Sequence, residues 1–156
     1  MKDWQMRFNA ARKESELHFH HLEHALQRTT SIYPLSEEKL KNLSNDQISF
    51  TDQLIFRFTK LQDCIGNKLF HAGLALLGEP VDDLTMLDKL HLLERLSVIN
   101  DATEWLQLRE LRNELTHEYP DADQIKAEAL NALVERITYL KSVFRKFTDF
   151  VDSKLG

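Results

Sequence analysis

Apolar residues recur along this chain at steps of three and four, the period of one helical face, and the segments that carry them are separated by residues that stop helices. A modest stripe of Trp4, Phe8, Ala11, Leu22 and Ala25 predicts a helix over residues 2–28, closed before Pro34. Residues 36–43 leave room for one or two helical turns. Ser44 and Gln47 then have the spacing of a capping box and open a second helix, whose stripe is Leu54, Phe58, Leu61, Ile65, Leu69, Ala72 and Leu76. Gly78-Glu79-Pro80 stops it. Thr85 with Asp88 opens a third helix carrying Leu87, Leu90, Leu93 (or Leu92) and Leu96, and Asp101 with Glu104 opens a fourth. After Pro120, from about Asp121, the cleanest stripe in the chain begins: Leu130, Leu133, Ile137, Leu140, Phe144, Phe147 and Val151.

One long stripe per helix with short connections predicts an all-α fold, an antiparallel bundle of four to five helices forming a single domain over residues 1–156. The second and last helices carry apolar residues outside a narrow stripe, namely Ile55, Phe56, Ala129, Val134 and Val143. A surface of that width predicts self-association, most simply as a homodimer.

Composition narrows the picture. Four glycines and three prolines in 156 residues argue against a strand-and-turn architecture. A chain of this length can bury about 70% of its unfolded surface and needs no disulfide or metal staple. The one cysteine, Cys64, has no partner within the chain, and the first residues enter a polar, charged segment with no apolar core of a signal peptide, so a reducing cytoplasmic location is expected. No apolar run approaches the roughly 18 residues of a membrane span, so no membrane association is expected. The net charge of −5 disfavours a broad nucleic-acid surface, while leaving room for a local site with a few cations.

Three segments could carry chemistry. His20 and His24 lie four residues apart with Glu16 one turn earlier, a spacing that can hold a divalent ion; but there is no His-Glu-x-x-His order and no second ligand cluster, so a polar helix face is the simpler reading and no metal is expected. Arg57, Lys60 and Lys68 share a side of the second helix, which most often serves solubility. The segment from Leu111 to Pro120 is more specific. On a helical wheel Arg112 falls inside the apolar arc of Trp105, Leu108, Leu111 and Leu115, where a permanent charge needs an anionic partner or an interface with water. His117 is the one nearby side chain that titrates close to neutrality. Pro120 disfavours helix at Tyr119, so the last turn should loosen at the histidine. On an ideal helix Arg112 and His117 stand about 140° apart; they converge if the helix end unwinds or if two copies of it meet. The plainer reading is that Arg112 pairs with a glutamate and His117 decorates a helix end.

The string Arg112-x4-His117-x-Tyr119, opened by Arg112-Asn113 and followed by a long final helix, resembles the signature of HepT-like toxins in the HEPN superfamily. The resemblance implies a helical, homodimeric, metal-independent ribonuclease that needs no cofactor and in which two copies of the motif face one cleft. It implies that His117 moves a proton, that Arg112 binds the scissile phosphate and stabilises charge in the transition state, and that Asn113 orients one of them. It implies a minimal nucleotidyltransferase as antitoxin, with Tyr119 as the residue modified by it. The rival reading is a non-catalytic, substrate-binding partner of a nucleotidyltransferase.

Overall fold

The computed structural model describes residues 3–117 and 122–156. Helix α1 spans Trp4–Thr29 and is capped by the Asp3 carboxylate, which accepts from the Met6 N–H. A single 3-10 turn, Thr30–Ile32, and the short α2, Glu37–Lys41, fill the connector. Helix α3 is Asn45–Cys64, and the capping box at its start is formed as its spacing predicts, Ser44 accepting from Gln47 N–H and Gln47 from Ser44 N–H. A π-helical turn, Ile65–Leu69, carries α3 without a break into α4, Phe70–Leu76. A second reciprocal box, Thr85 with Asp88, opens α5, Met86–Arg95, and the Asp101 carboxylate caps α6, Ala102–Leu115. Helix α7 runs 33 residues, Asp123–Leu155. Among the described residues no helix is long and apolar enough to cross a membrane.

Side-chain pairs give the directions of the long helices. Along α1 and α3–α4 the partners run oppositely: His24 stacks on Phe50, His18 meets Arg57, Glu14 meets Lys68 and Trp4 meets His71. The same holds for α1 and α7, through Glu23–Lys141, Phe19–Phe144 and Arg12–Asp152, and for α6 against α3–α4, through Arg112–Asp63 and Trp105–Phe70. The result is an up-down-up-down bundle of α1, α3–α4, α6 and α7, with α5 appended, as the stripes predict. The connector before α2 is fastened to α7 by Asn131, whose side chain accepts from the Leu35 N–H at 2.7 Å and donates to the Leu35 carbonyl at 2.9 Å.

The core is centred on Phe8, Phe70 and Phe147 from α1, α4 and α7, ring centroids of Phe147 lying 6.2 and 5.3 Å from the other two. Gly73 makes room for them: a Cβ there would stand 2.4 Å from the Phe147 ring. Several apolar expectations change. Ala129 and Val143 are buried in the chain's own core, because α7 is covered on more than one side, so they do not widen a self-association face. Leu87 is exposed, with α5 turning only Leu90 and Leu93 fully inward. After the π turn, Phe70, Gly73 and Leu74 are buried while Leu76 is only partly covered.

His18 is buried at the α1–α3 seam. The Arg57 guanidinium donates to its Nδ1 at 3.1 Å, which fixes the proton on Nε2, 3.6 Å from Glu14. Burial lowers the imidazole pKa below its ordinary 6.5, against the pull of Glu14, and Arg57 lowers it further.

Two outcomes follow from this packing. Gly73→Ala should destabilise the bundle by about 1–3 kcal/mol despite the better helix propensity of alanine, because Phe147 and α7 must move; a chemical denaturation midpoint at or above wild type would show that the approach is not tight. His18 is neutral in the fold but protonates readily once unfolded, so stability is lost as pH falls from about 6.5 towards the lowered native pKa. Denaturation curves across that window should slope with pH in wild type and flatten in His18→Gln.

Candidate functional site

The Arg112 side chain projects from the last turns of α6 towards α3 and is about one quarter exposed. Its charge is met by an aspartate rather than a glutamate: Asp63, the penultimate residue of α3, accepts from Nη2 at 2.8 Å and from Nε at 3.1 Å. This is the two-point geometry to which a guanidinium is suited. The contact holds Arg112 more firmly protonated than an ordinary arginine, outweighing the opposing effect of partial burial. The third edge of the guanidinium, Nη1, turns to the side-chain oxygen of Asn113 at 3.4 Å. Arg112 and Asn113 are thus brought together.

His117 lies just beyond the helix. Helix α6 ends at Leu115, Thr116 caps it by hydrogen-bonding the Asn113 carbonyl, and the His117 N–H donates to the Glu114 carbonyl at 3.3 Å. The chain therefore leaves the α-helical path at the histidine, as expected from the downstream proline. Tyr119, the expected regulatory residue, lies outside the described residues.

Within one chain the two principal residues open onto different spaces. His117 lines a cavity of about 640 Å³ bounded by α3, the end of α6 and the start of α7, where Asp52, Glu114, Asp123 and Lys126 supply charge and Ile55, Phe56 and Ile125 supply apolar wall. Phe56 and Ile125 are about half exposed there. Arg112 and Asn113 line a smaller cavity of about 270 Å³ on the α3–α6 side, with Gln62, Asn67, Met86, Trp105 and Arg109.

The other candidate segments are absorbed locally. Arg57 and Lys60 lie over the Phe56 ring at 5.3 and 5.7 Å, and Lys68 pairs with Glu14 at 3.0 Å. His20 stacks against His21, and His24 against Phe50. Among the described residues no group of three or more His, Cys, Asp or Glu side chains is placed to hold a metal ion. Cys64 is buried, and burial pushes its thiol up to about 12, which keeps it protonated and non-nucleophilic near neutral pH.

Asp63 is the site residue that the motif does not contain. Its signal in the sequence is the one that singles out Arg112: a charged side chain beside an apolar seam, here between Leu61 and Ile65. Pairing the two across 49 positions requires knowing that α3 and α6 run antiparallel with these ends together. Comparison of the chain with family models, with curated proteins and with solved structures gives no match.

Proposed function

We propose that this protein is a metal-independent endoribonuclease of the HepT-like, HEPN type, acting as a homodimer. The observation that carries the reading is the fixed Arg112: Asp63 holds its Nε and Nη2, so its remaining edge is presented beside Asn113, on the same helix end that delivers His117. Such an edge suits one oxygen of a phosphodiester. The RNA 2′-hydroxyl attacks the adjacent phosphorus, the bond to the 5′-oxygen breaks, and a 2′,3′-cyclic phosphate and a 5′-hydroxyl result. His117 removes the proton from the 2′-oxygen or returns one to the leaving oxygen, and Arg112 stabilises the charge that builds on the phosphate. A second copy supplies the complementary motif, since Arg112 and His117 of one chain line separate cavities. The half-exposed Phe56 and Ile125 at the rim of the His117 cavity are the apolar surface such a pairing would cover.

In this reading a minimal nucleotidyltransferase neutralises the enzyme by transferring AMP to Tyr119, which puts a phosphate and a bulky base beside His117. One observation favours a second reading, a non-catalytic partner of a nucleotidyltransferase: Asp63 already neutralises Arg112 and occupies two of its three edges.

Purified protein should cleave RNA in EDTA and scatter light as a particle of twice 18.3 kDa. His117→Ala should lower cleavage by about 10²–10⁴-fold, Arg112→Ala by a similar factor, and Asp63→Asn by up to about 10²-fold through loss of orientation, each with unchanged helicity by circular dichroism. Activity that EDTA abolishes and zinc or magnesium restores would sink the mechanism, and no cleavage by a well-folded dimer would leave the binding-partner reading. After co-expression with a minimal nucleotidyltransferase, mass spectrometry should find AMP on the Tyr119 peptide and none in Tyr119→Phe; neutralisation of an unmodified chain would remove Tyr119 from the scheme.

A further inference from the structure

Lysines in this chain differ in what they donate to. Lys41, Lys68 and Lys141 donate to the carboxylates of Glu37, Glu14 and Glu23. Such a contact stabilises the ammonium, and the Glu14 contact holds Lys68 above the ordinary lysine range. Lys89 instead donates to an imidazole, its Nζ standing 2.9 Å from His71 Nδ1. An ammonium has no lone pair to offer, so Nδ1 accepts and the ring proton is on Nε2, 3.4 Å from Asp82 Oδ1. The three residues come from α4, from a 3-10 turn at Val81–Asp83 and from α5, brought together where the chain reverses at Gly78-Glu79-Pro80. Val81 and Leu90, both buried, fasten the turn that carries Asp82 and the helix that carries Lys89 to the core.

The imidazole is confined, but the cluster is open to solvent. Trp4 packs edge-on against the His71 ring with centroids 5.3 Å apart. Lys89 is half-buried, and Asp82 is more than half exposed. Arg7, Lys68 and Glu14 line a groove together with His71, and Asp88, next to Lys89, turns back to accept from the Thr85 N–H. Partial burial lowers the Lys89 pKa below its ordinary value, against the pull of Asp82. A similar contact exists at His18, whose Nδ1 accepts from Arg57, and there it is chemically idle because a guanidinium does not give up its proton. An ammonium does, and its burial makes that easier. Lys89, His71 and Asp82 therefore stand in the order of a nucleophile, its base and the carboxylate that orients the base. None of the three lines either cavity described above.

We propose that Lys89 is a covalent modification site, acylated on Nζ by small acyl phosphates, with His71 as the base and Asp82 as the group that orients it. His71 Nδ1 takes one proton from the Lys89 ammonium, which leaves a neutral amine and an imidazolium facing Asp82. The amine lone pair attacks the acyl carbon. The nitrogen–carbon bond forms, and the bond from that carbon to the phosphate oxygen breaks with its electron pair on the phosphate. A second proton leaves the nitrogen with the phosphate, and the first passes from His71 to solvent. The products are an amide on Lys89, hydrogen phosphate and one released proton. The amide N–H can still donate to His71, but the positive charge facing Asp82 is gone.

The test is incubation of the full-length chain with acetyl phosphate over a range of pH, with acetyl occupancy at each lysine read by mass spectrometry. Lys13 and Lys146, both exposed, serve as internal references. Near neutral pH Lys89 should be acetylated about tenfold faster than either, although it is less exposed, and its rate should level off at a lower pH than theirs. His71→Gln keeps a hydrogen-bond acceptor but no base, and should bring Lys89 down to the reference rate with unchanged helicity. Asp82→Asn, a change at an exposed position, should slow Lys89 by a smaller factor and carries the comparison if His71→Gln loses helicity. A Lys89 rate no greater than the references, a pH profile parallel to theirs, or a rate unmoved by both substitutions would each overturn the site. None of these readouts involves RNA cleavage, so the site stands or falls apart from the ribonuclease reading.

Discussion

The Phe147 ring lies where a side chain on residue 73 would have to be, and this close approach of α7 to α4 sets much of the geometry around it. With Phe8 closing the third side, it joins α1, α4 and α7 near one end of the bundle. Helix α7 is long and otherwise uninterrupted, so fixing it there directs its start at Asp123, 24 residues before Phe147, towards α3 and the end of α6. The space occupied by His117 is therefore defined partly by packing at the far end of the molecule. Interiors are close-packed and shift as units rather than yielding locally, so the position of the α7 start is coupled to a contact it does not touch.

Much of the architecture was legible in the residues themselves. Ser44–Gln47 and Thr85–Asp88 are read as helix starts because the capping geometry is local, and both boxes form. The stripe on α7 is legible because nearly every apolar residue in it turns inward. Local rules stop where neighbours from elsewhere in the chain decide. Nothing in the spacing of α1 says that His18 will be covered by α3, or that its ring will accept from Arg57. Ala129 and Val143 look like surplus apolar surface on a wheel and are core in the bundle, because a helix touched on several sides uses several faces. The motif shows the same division. That Arg112 needs an anion follows from its place in an apolar arc; that the anion is Asp63 follows from helix order.

The Arg112–Asp63 pair sits in a net acidic chain whose balance of charge differs from one cavity to the next. Charge summed over the whole chain governs long-range attraction, which is screened within about 8–10 Å in physiological salt. Recognition at a cavity depends instead on which cations are held close together and how many carboxylates oppose them. On the α3–α6 side two guanidiniums face one carboxylate, whereas around His117 three carboxylates, from Asp52, Glu114 and Asp123, stand with Lys126. The two cavities of one chain thus differ in electrostatic character despite lying near the same helix end.

The π-helical turn at Ile65–Leu69 acts as a phase slip. One extra residue in a turn retards the angular position of everything after it by about 100°. Residues up to Cys64 present one face to α1, and those from Phe70 present a rotated one that takes in Gly73 and Leu74 as well as Ala72. The two halves of this continuous helix are thus out of register with each other, and a rod that follows α1 along its whole length also turns Gly73 to Phe147. Removing one residue from the turn would leave a sequence with unbroken helical periodicity and a more regular hydrogen-bond ladder, but it would point Gly73 away from Phe147. For this chain, regularity in the helix and closure of the core are competing demands, and the slip is the compromise between them.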